Sequence, residues 1–153
     1  MRSCSNSISI AASTTNSTFP FVTVPAFEVL AESVREQSEA ELLLFTPKVE
    51  IGEVTRWNEY ATNNEGWYEE SKRLAVASSD GSLAQSDFAP GSPLPFIFEA
   101  TFDENGNPSV LPAVNDPPFY PIWQVSPPPF SPLVIRANIG GGAEFSSWSK
   151  AVD

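Results

Sequence analysis

The stretch Leu94-Pro95-Phe96-Ile97-Phe98-Glu99-Ala100-Thr101-Phe102-Asp103-Glu104-Asn105-Gly106-Asn107-Pro108 is where the hydrophobic pattern of this chain changes its period. Leu94 to Phe102 is dense in residues that suit a pleated, half-buried surface. The Asn105-Gly106 pair behind it tolerates the left-handed backbone that a tight hairpin turn requires. Val110 to Val114 then reads as a short partner strand, which Pro112 demotes to an edge because it has no N–H to donate. Further on, Phe119 to Val125 is a second extended segment, Ser126 to Pro132 a proline-rich crossover, and Leu133 to Ile139 a strand closed by Gly140-Gly141-Gly142.

Upstream of Leu94 the reading is different. Ser78 to Pro93 is rich in Ser, Asp, Gly and Pro and reads as a loop. Before it lie helical periods. From Ala26, the apolar residues Phe27, Leu30, Ala31, Val34, Leu42 and Phe45 share a stripe, with Glu28, Glu32, Arg35, Glu36 and Glu39 opposite. This first helix is expected to run until Thr46-Pro47, where proline interrupts it. A second helical region spans 52–77, with an aromatic face of Trp57, Tyr60, Trp67 and Tyr68. Asn63-Asn64-Glu65-Gly66 either interrupts it or joins two helices by a turn. Phe19 to Pro25 is extended, since its prolines forbid helix. Helices first and strands afterwards predict an α+β chain, N-terminal helices packed on an antiparallel sheet, rather than alternating βαβ units. The domain is expected over 19–139, between a Ser/Thr/Asn-rich flexible leader, 1–18, and a loose tail, 140–153.

Charge and composition narrow the chemistry. The 153 residues carry 8 Lys and Arg against 19 Asp and Glu, a formal charge of −11 without any His. So acidic a chain has no footprint for nucleic-acid phosphates or anionic membrane surfaces. One Cys and no His remove the usual zinc sites and every His-dependent triad. No apolar run is long enough to span a bilayer, and Ile8 to Ala12 is too short for a signal-peptide core. Asn16-Ser17-Thr18 is a glycosylation sequon, while Asn107-Pro108-Ser109 is disqualified by its proline.

The candidate site residues each carry two readings. Trp57, Tyr60, Trp67 and Tyr68 are either helix-to-sheet core or the wall of a ligand pocket. Tyr120, Trp123 and Gln124, flanked by Pro117-Pro118 and Pro127-Pro128-Pro129, are either a pocket rim pre-ordered by proline or a blunted sheet edge. Arg56 offers a planar fork to a ligand anion, or else pairs with Glu53 or Glu59. Glu65, Glu69 and Glu70 form a solvated face in preference to a calcium site, lacking the alternating carboxylates of a calcium loop. No nucleophile elbow, phosphate loop or dinucleotide fingerprint is present, and no two carboxylates are singled out as an acid-base pair. The residues by themselves therefore predict an acidic globular domain with no catalytic, metal or cofactor site of its own.

Phe19-Pro20-Phe21-Val22-Thr23-Val24-Pro25-Ala26-Phe27-Glu28, then Leu43-Leu44-Phe45-Thr46-Pro47-Lys48-Val49, Arg56-Trp57-Asn58-Glu59-Tyr60 and Gly66-Trp67, and later Tyr120-Pro121-Ile122-Trp123-Gln124-Val125-Ser126-Pro127 and a strand ending in Asn138, make an ordered series. It resembles the extracellular, CHASE-like sensor region of the receptor-type adenylate and guanylate cyclases of diatom algae. The resemblance covers 19–139. It implies a PAS-like α+β module outside the plasma membrane that binds a small-molecule or peptide ligand and admits a homodimer. In an intact receptor it regulates cAMP or cGMP synthesis by a cytoplasmic cyclase domain, through membrane segments that this sequence does not contain. Arg56, Trp57, Tyr60, Trp67, Tyr120, Trp123 and Gln124 carry the resemblance and are the ligand-binding candidates it suggests. The alternative expectation is a secreted or surface interaction module with no cyclase partner.

Overall fold

A computed structural model describes residues 18–114 and 117–139; the leader up to 17, the sequon at Asn16 and the tail from 140 lie outside the described residues. Among the described residues the architecture is α+β, with three α-helices and two small antiparallel sheets. Pro25 and a left-handed Ala26 (φ 49°) turn the chain into α1, Phe27–Ser38, which buries Phe27, Glu28 and Ala31. The helix stops well before Thr46-Pro47, contrary to the periodicity. Glu39 adopts a left-handed conformation (φ 57°) and returns its N–H to the Arg35 carbonyl, closing the last turn. The apolar run beyond it becomes β1, Leu43–Phe45, which pairs antiparallel with β4, Gln124–Ser126, Leu44 opposite Val125. A three-residue strand is too short to reveal its period, so Phe45 fitted the helical stripe by coincidence.

A 3-10 turn, Ile51–Glu53, leads into α2, Val54–Asn63, and α3 follows over Gly66–Ser78. The long helical region is thus two helices. Asn64 leaves helical geometry (φ −121°), and its Nδ2 donates to the Tyr60 carbonyl at 2.8 Å, capping α2. A hairpin forms, as β2, Phe98–Phe102, and β3, Pro108–Pro112, with Ala100 opposite Val110. β2 is shorter than the expected Leu94 to Phe102, and β3 begins two residues before Val110 and ends at Pro112, because pairing starts directly behind the turn, where Asp103 N–H donates to the Asn107 carbonyl (3.0 Å) and Gly106 alone of the Asn-Gly pair is left-handed (φ 80°). The Ala113 N–H to Ile97 carbonyl bond (2.9 Å) sets the alternation of the ladder, so the outward-facing backbone positions of β3 are 108, 110 and 112. Prolines occupy two of these, which strips N–H donors from the edge.

The strand expected over 133–139 does not form. Pro132–Val134 is a 3-10 turn and Arg136 sits at φ 78°, so in place of a continuous ladder the segment makes isolated bridges, Ala137 to Phe98 and Asn138 to Pro121, with scattered backbone bonds such as Arg136 N–H to the Ile122 carbonyl (2.7 Å). The same kind of contact, Val49 with Phe119, replaces most of the extended segment before β4.

The main core gathers Phe21, Val22, Val24, Phe27, Trp57, Trp67, Tyr68, Phe119, Trp123 and Ile135, and a second cluster holds Phe98, Ile122, Val125 and Ala137. Removing each large side chain from water contributes roughly 1.5–3 kcal/mol. The N-terminal arm, 19–25, enters this core without belonging to a sheet. Gln124, wholly buried, treats Val24 as a strand neighbour would: Val24 N–H donates to Oε1 at 2.8 Å and Nε2 donates to the Val24 carbonyl at 3.0 Å. Trp123 Nε1 donates to the Val22 carbonyl at 3.1 Å.

Candidate functional site

Helix α2 has two faces, and its sequence separates them. Trp57 and Ala61 point inward and are fully buried, while Thr55, Asn58, Glu59, Thr62 and Asn63 recur at the spacing of a single helical face. With Pro95 as opposite wall, this polar face lines an open groove of about 350 Å³. Three bonds hold the groove's parts together. Asn58 Oδ1 accepts the Ile97 N–H at 3.2 Å, tying α2 to the segment that carries Pro95. Thr62 Oγ1 donates to the Asn58 carbonyl at 2.9 Å and accepts from Arg136 Nη1 at 3.2 Å.

Arg136 is an unusual support for such a groove. Its side chain is 0% exposed, its Nε has no acceptor among the described residues, and its backbone is left-handed. Nη2 pairs with the carboxylate of Glu65 at 3.2 Å. Burial pushes the guanidinium pKa below its ordinary value, and the Glu65 charge partly restores it. Non-glycine residues pay for such φ values, and strain together with buried charge tends to collect near functional sites.

A second buried polar group joins α1 to β4. Glu28 is 2% exposed, and Arg35 spans from its Oε1 (3.4 Å) to the Ser126 hydroxyl, to which Arg35 Nε donates at 2.9 Å. Burial raises the Glu28 pKa, against the lowering effects of Ser126 and Arg35.

The sequence candidates divide between interior and surface. Trp57, Trp67 and Trp123 meet edge-to-face, Trp57 and Trp67 lying 5.6 and 5.8 Å from the Trp123 ring. They are core, and Gln124 is the arm's clamp. Tyr60 is half-buried at the edge of this cluster, its hydroxyl 2.7 Å from Thr23 Oγ1; burial raises its pKa. Tyr120 stands apart, its N–H donated to Asn138 Oδ1 at 2.8 Å. Arg56 is exposed and makes no ion pair with Glu53 or Glu59; its guanidinium lies 4.3 Å above the Phe21 ring instead. Of the acidic trio, Glu65 holds Arg136 and Glu69 holds Lys72 at 2.5 Å, so they serve separate ion pairs.

The groove residues were not among the sequence candidates, although a signal existed. Thr55, Asn58, Glu59, Thr62 and Asn63 are polar at i, i+3, i+4, i+7 and i+8 of the same helix whose aromatic residues drew attention. Chemically the groove offers amides, hydroxyls and one carboxylate, Glu59, without an ion-pair partner among the described residues. That set suits reversible recognition of a polar molecule through hydrogen bonds. No family model, curated protein or solved structure matches the chain.

Proposed function

We propose that this chain is a ligand-sensing domain, or part of one, of the extracellular kind found in receptor-type nucleotide cyclases, and that it performs no chemistry by itself. The reading is carried by helix α2. The Arg56-Trp57-Asn58-Glu59-Tyr60 segment, which carries the resemblance, turns its aromatic residues into the core and its polar face into the groove. Occupancy of that face is therefore positioned to bear on the interior through Asn58, Thr62 and buried Arg136. A ligand that favours one arrangement of α2 against Arg136 shifts the population of conformers, and that shift is the signal a receptor transmits. The PAS-like character of the fold, placement outside the plasma membrane and regulation of cAMP or cGMP synthesis belong to the same proposal and rest on the order of the motifs.

The test is a thermal-shift screen of the purified chain against amino acids, sugars, polyols, amines and short peptides. A hit that binds in the groove loses its shift in Glu59→Ala and Asn63→Ala, two surface changes that leave the core alone. Hits indifferent to both variants would place recognition elsewhere and sink the groove. A second reading, an interaction module without a cyclase partner, is favoured by the exposed Val110, Leu111 and Val114 on and beside β3. Extending the reading frame in genomic sequence separates the two: membrane spans followed by a cyclase domain support the sensor, and a signal peptide with a genuine stop codon supports the module.

A further inference from the structure

We infer that Asn105, at the tip of the β2–β3 hairpin, is a site of spontaneous deamidation whose rate is governed by Asp103. Asn105 and Gly106 are both exposed, and the Asn105 side-chain amide makes no hydrogen bond among the described residues. Gly106 has no Cβ, and even an added one would meet nothing within 4 Å, so its nitrogen can approach the neighbouring amide without steric hindrance. This is the only Asn-Gly pair in the sequence.

The chemistry balances without a cofactor. The Gly106 nitrogen gives up its proton and attacks Asn105 Cγ; the new N–Cγ bond forms as the Cγ–Nδ2 bond breaks. The departing amide takes a proton and leaves as ammonia. Water then opens the resulting cyclic imide. Cleavage at Cγ yields an aspartyl residue at position 105, and cleavage at the main-chain carbonyl yields an isoaspartyl residue, with one extra carbon in the backbone.

The turn also holds a brake. The attacking nitrogen is the one whose N–H is donated to the Asp103 carbonyl at 2.9 Å. The Asp103 carboxylate fixes the rest of the tip, accepting from Asn105 N (2.9 Å) and from Asn107 N and Nδ2 (both 2.8 Å). The Asn107 bonds hold the Asp103 carboxyl below its ordinary pKa, so the clamp is ionised throughout the neutral range. Reaction requires Gly106 N to leave this arrangement. The product places a further negative charge beside Asp103 and Glu104, and the isoaspartyl form also breaks the spacing on which the turn depends, so the modified hairpin opens.

The test follows the intact chain by peptide mass spectrometry during incubation at mildly alkaline pH, with an isoaspartyl methyltransferase to report the isomer. The expected result is an amide-to-acid mass gain at the Asn105-Gly106 peptide, about fivefold slower in the folded than in the urea-unfolded chain, the ratio that one net hydrogen bond supplies. Asp103→Ala keeps the main-chain carbonyl that accepts from Gly106 but removes the carboxylate that fixes the tip around it, and should raise the folded rate toward the unfolded one. Asn107→Ala, which removes one bond and spares the rest of the tip, should fall between, and Asn105→Gln should abolish the gain. Tryptophan fluorescence confirms that each variant keeps its core. A gain appearing first at another asparagine overturns the site. Wild-type rates in both Asp103→Ala and Asn107→Ala, with the core intact, overturn the brake.

Discussion

Replacing Gln124 with leucine tests how the N-terminal arm is held. The side chain is 0% exposed and exchanges two hydrogen bonds with the Val24 backbone, which is itself buried. Leucine fills similar space but strands the Val24 N–H and carbonyl away from water. Each such orphan costs about 1–3 kcal/mol, so the expected loss is roughly 2–6 kcal/mol. Against the roughly 5–15 kcal/mol of an ordinary domain this is a large fraction. Urea unfolding followed by tryptophan fluorescence reads it directly, because Trp123 donates to the neighbouring Val22 carbonyl. Gln124→Glu supplies an independent check with a definite sign. A protonated carboxyl can reproduce both bonds, donating through its O–H and accepting through its carbonyl oxygen, whereas a carboxylate cannot donate and is buried as a charge. Its folded pKa is therefore raised, so stability is near wild type at acid pH and falls as pH rises through that pKa. A leucine variant that loses less than about 1 kcal/mol, or a glutamate variant whose stability does not fall with pH, would refute the clamp.

Three further outcomes are expected. Glu65→Ala strands the buried Arg136 guanidinium and should cost about 3–5 kcal/mol, whereas Arg136→Met removes the buried charge and leaves Glu65, 34% exposed, to solvent, so it should cost clearly less; equal losses in urea melts would contradict the asymmetry. Tyr68, whose hydroxyl donates to the Pro129 carbonyl at 2.7 Å, has its pKa pushed up to about 12 by burial and then by Glu69, so a spectrophotometric titration should contain a late phenol that Tyr68→Phe removes. Burial raises Glu28 above 4.5, so the folded state binds its proton more tightly than the unfolded one. The stability this contributes is complete below 4.5 and is lost as pH rises through the folded pKa; Glu28→Gln should flatten that part of the urea-midpoint profile, and an unchanged slope would count against the assignment.

Local chemistry decides part of this molecule without reference to tertiary contacts. The hairpin around Asn105-Gly106, the proline-bounded entry to α1 and the mixture of helix and strand are set by backbone preferences of a few adjacent residues, which sequence displays. Those preferences left open whether the long helical region divides at Asn63–Gly66, and they did not place a strand, β1, between α1 and α2. What distance in sequence hides is the choice of partner. Leu43–Phe45 became a strand because β4 lay ready to pair with it, and Glu39 gave up helical geometry to let it do so. Leu133–Ile139 reads as a strand by propensity, yet Arg136 turns left-handed to place its guanidinium beneath α2. The Trp57, Trp67 and Trp123 rings were visible as a concentration of aromatic mass, but whether such mass forms a wall or a core depends on what packs behind it. The groove of α2 depended on Pro95 arriving from the far side of a long loop. Periodicity records which face of an element is apolar; only the assembled chain determines what meets each face.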